Sequence, residues 1–191
     1  MYKRQAIING DGAGKPLGIL NAPCLHTVTA ETGQGAATIV AENIDKMWMS
    51  RFGPNSANYI WLYNQNIEAQ LSKLNYGAGL SGGSLVYMPA GGISGSPYAS
   101  LKGRPMVPCE FAATLGTAGD IILADLSQYV MIDKGGMQSA SSIHVNFSTD
   151  QTAFRFVYRC DGQPWWATYL TPYKGSSSYQ SPFVVLSSTR T

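Results

Sequence analysis

The sequence has 191 residues, of which 45% are hydrophobic and 13% are charged. That length suits one domain or two small lobes with a real core, but the charged fraction lies well below the roughly 25% of an average globular chain. With a net charge of +2 and no basic run, the sequence implies neither specific nucleic-acid binding nor an anionic membrane surface as a partner, and no stretch approaches the ~18 apolar residues of a membrane span.

A glycine-rich turn follows the apolar pair Ile7-Ile8 near the start of the chain. It runs from Gly10 to Gly14 and closes at Lys15-Pro16, so a phosphate-binding loop is the first chemistry to consider. Such a loop has the pattern Gly-x-x-x-x-Gly-Lys-Ser/Thr and opens a helix whose amides face the phosphate. Pro16 stands where the hydroxyl is needed, and residues 17–19 do not start a helix. A nucleotide site is therefore disfavoured, and Lys15 is expected to have no chemical role.

Two helices that flank a strand are predicted next. Residues 37–52 have apolar side chains at helical spacing, which predicts an amphipathic helix that buries this stripe and ends at Gly53-Pro54. Tyr59 to Tyr63 is rich in aromatic and branched residues and predicts a strand. Asn64 is a good N-cap for a second helix. The stripe of the first helix consists of Val40, Ile44, Met47, Trp48 and Phe52, and that of the second of Ile67, Leu71 and Leu74.

The Gly- and Ser-rich stretch from Tyr76 to Ser100 contains one segment dense enough for a strand, Leu85 to Met88. Within the stretch, residues 79–83 match the Gly-x-Ser-x-Gly elbow of hydrolases. That elbow needs its serine on a strand-to-helix turn, with a histidine and an acid to activate it. Here strand and loop follow Ser81, and the one later histidine, His144, falls in the polar phase of a predicted strand. A small hydrolase that uses Ser81 is the alternative function.

Residues 101–133 predict three strands in series. The first begins near Met106 and is assigned to a sheet edge or a strand beginning rather than to a sheet centre, because Pro105 and Pro108 have no N–H to donate. The second, from Asp120 to Asp125, is a short apolar run bounded by acids, which is typical of a strand covered on both faces. The third carries Tyr129, Val130 and Ile132.

Two alternating segments come next. In residues 142–147, the apolar members are expected to point inward and His144 outward. Residues 149–160 predict a long half-buried strand, Asp161-Gly162 predicts the turn of a hairpin, and Pro164 to Trp166 begins the return strand. The inward members of the first segment are Ile143, Val145 and Phe147. The second has Phe154, Phe156, Tyr158 and Cys160 on one face and Ala153, Arg155, Val157 and Arg159 on the other. A last strand is predicted at residues 182–186.

Arg155 and Arg159 are expected on one face of the predicted strand. Three interpretations remain open for them: a solvated face, ion pairing between subunits, and contact with phosphate. Exposed ion pairs contribute only ~0–1 kcal/mol, so their stabilising effect within the chain does not decide among these.

The three cysteines, Cys24, Cys109 and Cys160, are widely spaced and include no Cys-x-x-Cys pair. An odd number at such spacing indicates neither a disulfide framework nor a zinc site, so buried free thiols are expected. No cluster of Asp, Glu and His has metal-ligand spacing, and no cofactor is expected. Without an N-terminal signal pattern, the chain is expected to be soluble and made in a reducing cytoplasm.

Four ordered motifs between Asn9 and Trp166 resemble the major capsid proteins of tailed bacteriophages of the Hong Kong 97 type. They are the glycine turn of residues 9–20; the helix, strand and capped helix of residues 37–74; Leu-x-Gly-x-Pro-x-Val-Pro with Gly-Asp-Ile-Ile-Leu-Ala-Asp-x-Ser-x-Tyr in residues 101–129; and Phe-Arg-x-x-x-Arg-x-Asp-Gly in residues 154–162.

The resemblance implies an α+β shell-building subunit of the Hong Kong 97-like fold, not an enzyme. Residues 1–18 would end the peripheral lobe, 19–135 would form the capsomer-centre lobe, 136–166 would form a peripheral hairpin, and 167–191 would return to the capsomer-centre lobe. The N-terminal arm, extended loop and spine helix of the family are expected to be absent, as in a C-terminal part of such a subunit. The family motif implies inter-subunit contact at Arg155, Arg159 and Asp161.

The implied partners are copies of the chain itself, which would form pentamers and hexamers around a DNA genome in a virion capsid assembled in the cytoplasm of a bacterial host. Scaffold, protease and portal proteins are further implied partners. A β-rich secreted binding module is a third class, disfavoured by the two predicted helices and the free cysteines. Alone, the chain is expected to fold without building shells.

Overall fold

A computed structural model describes residues 2–74, 87–88, 99–175 and 178–190 of the chain. The helices are α1 (Tyr2–Asn9), α2 (Ala41–Met49) and α3 (Glu68–Leu71), and short 3-10 turns lie at Ile19–Asn21, Gly53–Asn58, Gln65–Ile67, Leu126–Gln128 and Phe147–Thr149. The strands are β1 (His26–Val28), β2 (Tyr59–Tyr63), β3 (Tyr87–Met88), β4 (Ser100–Leu101), β5 (Arg104–Pro108), β6 (Ile121–Asp125), β7 (Tyr129–Asp133), β8 (Gln138–Asn146), β9 (Gln151–Val157), β10 (Cys160–Pro164) and β11 (Phe183–Leu186).

Seven strands form the main sheet in the order β1-β11-β6-β2-β5-β4-β3. β1 runs parallel to β11 and β2 parallel to β5, whereas the other neighbours are antiparallel. Two small antiparallel sheets lie outside it: β7 with β10, and β8 with β9. The mixed α+β class expected from the sequence is confirmed.

Both faces of the main sheet are covered, because successive side chains of its central strands point to opposite sides. In β6, Ile121 and Leu123 join the core beneath α2 and α3, and Ile122 and Ala124 join a second core that includes Ile8 of α1. All five residues of β6 are buried. The prediction of a strand covered on both faces is therefore confirmed, as are the strand at Tyr59–Tyr63 and the last strand, β11.

The first predicted helix is shorter than expected. α2 starts at Ala41 because the backbone before it is irregular: Ala37 has a left-handed φ of 52°, and the Ile39 N–H donates to the side chain of Gln70. Ile44 and Met47 are completely buried, whereas Val40 and Trp48 are half-buried. The side chain of Asn64 accepts a hydrogen bond from the Asn66 N–H and begins the next helical segment, as predicted. Of the predicted strand 85–88, the first two residues lie outside the described part.

α1 was not foreseen, because its apolar residues have no helical period that would reveal it. Its last turn is fixed from outside: the Asn21 amide donates to the carbonyls of Asn9 and Gly10, and the Asn9 amide donates to the Phe111 carbonyl. The Gly18 N–H donates to the Gly10 carbonyl at 2.9 Å, so the glycine turn closes on itself. A Cβ at either glycine would overlap backbone atoms across this crossing.

The prediction that the strand near Met106 is not a central strand is wrong, although Pro105 does lie at the beginning of the strand. β5 lies between β2 and β4 in the main sheet. Its two prolines are tolerated because pairing is short on each side: β4 pairs with Arg104 and Pro105 only, and β2 pairs with Met106 to Pro108. The Met106 N–H still donates to Ala99 on one side, and the Cys109 N–H donates to Tyr63 on the other.

The predicted turn at Asp161-Gly162 is also wrong, because both residues lie within β10 and pair with β7. The glycine is needed for close packing: a Cβ on Gly162 would lie 2.8 Å from the ring of Tyr129. Gly162 and Tyr129 also hold the glycine turn in place. The Leu17 N–H donates to the Gly162 carbonyl, and the Tyr129 hydroxyl donates to the Leu17 carbonyl. The hairpin turn instead connects β8 and β9, at Phe147–Asp150.

A buried ion pair connects the segment after β11 to Asp120, the residue before β6. The guanidinium of Arg190 donates to both carboxylate oxygens of Asp120, at 2.6 and 2.9 Å, and both side chains are completely buried. Asp120 also accepts from the Gly116 N–H, and Arg190 donates to the Ser187 carbonyl. This network connects the segment after β11 to the loop that precedes β6.

Candidate assembly surface

Exposed large apolar side chains are concentrated in one part of the chain. Among the described residues, all but Met49 fall between Leu126 and Tyr173. Six of these lie in strands of the two small sheets, and none of them lies in the main sheet. We call this set the exposed apolar surface: Leu126, Met131, Ile132, Met137, Ile143, Val145, Phe147, Phe154, Phe156, Tyr158, Trp165, Tyr169, Leu170 and Tyr173.

The hairpin of β8 and β9, which we call the ribbon, contributes several strongly exposed members. Phe147, Val145 and Phe154 are 78%, 70% and 70% exposed, and Phe156 is 64% exposed. The prediction that residues 143–147 point inward, and that the following strand is half-buried on its phenylalanine side, is therefore wrong for the chain by itself. The alternation is present, but no second layer of described residues covers it. A two-stranded sheet is at best marginally stable alone in water, so the ribbon needs a covering partner.

The two faces of the ribbon differ in chemistry. Phe156 lies opposite Ser139, and Phe154 lies opposite Ser141, so both rings belong to one face. Arg155 lies opposite Ala140 on the other face. One face is therefore aromatic, and the other is cationic.

The structure brings Arg155 and Arg159 together, although Arg159 lies beyond the end of β9 and not on the predicted strand. Both line a shallow depression of about 380 Å³, together with Gln138, Ser139, Ala140 and Val157. Neither guanidinium has a hydrogen-bond or ion-pair partner among the residues that the structure describes. Asp161 does not line this depression. It lies in a neighbouring cleft of about 590 Å³ that Arg159 also lines, and its carboxylate accepts from the Gly162 N–H.

The glycine turn forms the other wall of that cleft, with Gly12, Gly14 and Lys15. Lys15 pairs with Asp11 at 3.2 Å, and the Ala13 N–H and the Lys15 ammonium lower the pKa of the Asp11 carboxyl. The glycine turn follows a helix and leads to a short 3-10 turn. A phosphate-binding loop instead follows a strand and leads to a helix. The disfavoured nucleotide site is therefore unsupported by the geometry.

Ser81 and His144 were the other chemical candidates. Ser81 lies outside the described residues, and His144 is exposed on the ribbon. Among the residues that have been placed, no group of three or more His, Cys, Asp or Glu side chains could hold a metal ion. No helix in the same set is long and apolar enough to cross a membrane.

Thiol accessibility distinguishes the three cysteines, which are all free. Cys24 is completely buried, and burial raises the pKa of its thiol to about 11. Cys109 and Cys160 are half-buried.

At pH 8 we expect a colorimetric thiol reagent to react with Cys109 and Cys160 in the native protein, and with Cys24 only after unfolding. Three thiols that react equally fast without denaturant would contradict the packing around Cys24.

A sequence model described as "Phage capsid family" matches residues 3–175, which is most of the chain. The chain belongs to the phage capsid family. No curated protein matches it. The resemblance seen in the ordered motifs is therefore confirmed at the level of the family.

Solved structures place this phage capsid protein in the same fold as known capsid chains. The capsid of an empty GTA particle, computed with C5 symmetry, aligns with a TM-score of 0.68 at 16% identity over 97% of this chain. The capsid of the native GTA particle gives 0.65, again at 16% identity and 97% coverage. In both cases the alignment covers 60% of the GTA chain. The phage capsid protein thus spans less than two thirds of the length of these GTA chains.

The exposed apolar surface of this phage capsid protein was missed at the sequence level, although one signal was present. The low fraction of charged residues indicated a surface that neighbours could bury. It did not indicate where. The alternation of residues 149–160 gave the faces of β9 but not the layer that would cover them, and the single strand predicted there ends at Val157, with Cys160 in β10.

Proposed function

We propose that the chain is a structural subunit of a virion capsid that assembles by self-association, through interfaces that include the exposed apolar surface. The observation that carries the proposal is the concentration of exposed apolar side chains between Leu126 and Tyr173 in a member of the phage capsid family. Contiguous exposed apolar patches on soluble proteins mark interaction sites. A catalytic role is not part of the proposal.

In the finer form of this proposal, the subunit has the Hong Kong 97-like arrangement. Residues 19–135 with 167–191 form the capsomer-centre lobe, and residues 1–18 with 136–166 form the peripheral lobe. Pentamers and hexamers of the subunit enclose a DNA genome. Assembly takes place in the cytoplasm of the bacterial host, with scaffold, protease and portal proteins as possible partners. The separation of the ribbon from the main sheet supports a second lobe, whereas the pairing of β7 with β10 crosses the proposed boundary at residue 135.

Arg155, Arg159 and Asp161 are proposed as inter-subunit contacts. Two guanidinium groups that share a depression have up to ten N–H donors to satisfy, and arginine suits planar pairing with carboxylates at interfaces. The aromatic face of the ribbon would supply apolar contact in the same assembly.

The test is whether the chain occurs in closed shells. Particles would be purified from cells that express the native locus, and their proteins identified by mass spectrometry and electron microscopy. Peptides of this chain should be present in stoichiometric amount in the shell. Shells that lack the chain, or a saturable activity that requires Ser81, would contradict the proposal.

The isolated chain is expected to be a monomer, or at most a single ring, at micromolar concentration. Its interfaces must overcome an association cost of roughly 4 kcal/mol or more, and weak contacts hold only when several act together. Light scattering coupled to size-exclusion chromatography measures the state. Closed particles formed by this chain alone would contradict the expectation.

A further inference from the structure

The ribbon has complementary groups at its two ends. We propose that the cationic depression at its base, lined by Arg155 and Arg159, receives the ribbon tip of a second copy of this chain, with Phe147 and Asp150 as the inserted side chains. The inference rests on the proposed self-association and names the partner of one surface within it.

The depression offers donors without acceptors. Gln138 and Ala140 line the depression with Arg155 and Arg159, and a volume of about 380 Å³ gives room for an aromatic ring. Guanidinium groups donate only, and they also stack on aromatic faces. A fitting occupant therefore carries a carboxylate and an aromatic ring close together.

The ribbon tip carries that pair. Phe147 begins the turn and is 78% exposed. Asp150 ends it with a left-handed φ of 51°, which fixes the direction of its side chain relative to the turn. Its N–H donates to the Phe147 carbonyl, and its exposed carboxylate has no partner among the described residues. The tip thus presents an aromatic ring and an acid three residues apart.

The tip cannot reach the depression of its own ribbon. Five residues of strand separate Asp150 from Arg155, where the depression begins, or roughly 17 Å at 3.3 Å per residue. The contact must therefore join two molecules. Because tip and base are different surfaces, the contact is head-to-tail, and repetition of it closes a ring or extends a chain.

A phosphate-bearing partner is the competing occupant for two arginines. The surroundings favour the carboxylate of a protein: Asp161 lies in the adjacent cleft, Asp133 ends the neighbouring strand β7, and the net charge of the chain is only +2. Nucleic-acid surfaces are instead marked by clustered basic residues without such acids.

The experiment uses two charge-reversed variants of the full chain. The base-reversed variant carries Arg155→Glu and Arg159→Glu. The tip-reversed variant carries Ser148→Lys and Asp150→Asn, since asparagine tolerates the left-handed backbone at residue 150. Each variant alone has like charges at tip and base, whereas a mixture of the two has opposite charges at every contact.

Sedimentation velocity from about ten micromolar to about one millimolar would measure association. We expect each variant alone to associate at least about tenfold more weakly than the unmodified chain, and the equimolar mixture to recover to within about threefold. Phe147→Ser should weaken association, whereas Met49→Ser, at an exposed apolar residue outside the exposed apolar surface, should not. All the altered side chains of these four variants are exposed, and circular dichroism would verify their folding.

Three results would overturn the inference: no association of the unmodified chain up to about one millimolar, no recovery in the mixture, or binding of a duplex DNA oligonucleotide that the base-reversed variant loses. The proposed capsid function is tested separately. If the base-reversed variant enters shells at the normal level in cells, only the head-to-tail contact is wrong. If the unmodified chain does not enter shells, the proposed function itself fails.

Discussion

Arg190→Ala is expected to destabilise the protein by about 3–5 kcal/mol, because removal of one partner of a buried ion pair leaves the other charge without compensation. The guanidinium of Arg190 forms two hydrogen bonds with Asp120, and neither side chain has any exposure to solvent. The Gly116 N–H would still donate to Asp120, but it would not neutralise the carboxylate. Chemical denaturation followed by fluorescence measures the loss.

The matched control is Lys46→Ala. Lys46 pairs with Glu31 at 2.7 Å, but its side chain is about half-exposed, so the loss should stay within about 1 kcal/mol. The double variant Asp120→Asn with Arg190→Met should be more stable than Arg190→Met alone, because it buries no unpaired charge. Equal losses from Arg190→Ala and Lys46→Ala would show that the pair is not buried in solution.

Ile44→Ala is expected to cost about 2–5 kcal/mol, which is the range for truncation of a buried aliphatic side chain. Ile44 is completely buried in the core between α2 and the main sheet, together with Met47 and Trp61. The loss combines the transfer free energy of the removed methyl groups with the cavity they leave. Urea titration at constant slope would measure it.

Glu42 provides the control on the same helix. Its side chain is exposed, so Glu42→Ala should change the free energy of unfolding by no more than about 0.5 kcal/mol. Similar losses from the two substitutions would mean that α2 presents a different face to the core.

Local patterns predicted β2, β6 and β11 of the main sheet, whereas β1 and β4 were not predicted. β2 and β6 were found within a residue of their observed bounds, because strands covered on both faces appear in the sequence as short continuous apolar runs. The Asn64 cap was also predicted, because its side chain accepts a hydrogen bond within its own turn and needs no distant part of the chain.

Features that depend on distant parts of the chain were not predictable. Gly162 next to Asp161 has the signature of a hairpin turn, but the ring of Tyr129 packs against it from another strand. The pairing of Arg190 with Asp120 joins residues far apart, and neither has a local pattern that reveals its burial. β5 became an inner strand through the short β4, whose pairing the sequence does not encode locally.

For the candidate assembly surface, the sequence pattern predicted the faces but not their contacts. The alternation of Phe154 and Phe156 with Arg155 predicted the two faces of a strand but could not say what each face contacts. Periodicity reports that a face is apolar, and the contacting partner can be the same chain or another one. For the ribbon, the described residues of the chain supply no second layer.

The parallel pairing of β1 with β11, which joins His26 to Val184, has a consequence for folding kinetics. Contacts between residues so distant in sequence close large loops and slow folding, whereas the ribbon pairs neighbouring strands and can form early. Its phenylalanine side chains are then exposed while the main sheet is incomplete, which is the condition under which unfinished chains aggregate. Newly made chains would therefore be prone to aggregate until β11 takes its place between β1 and β6.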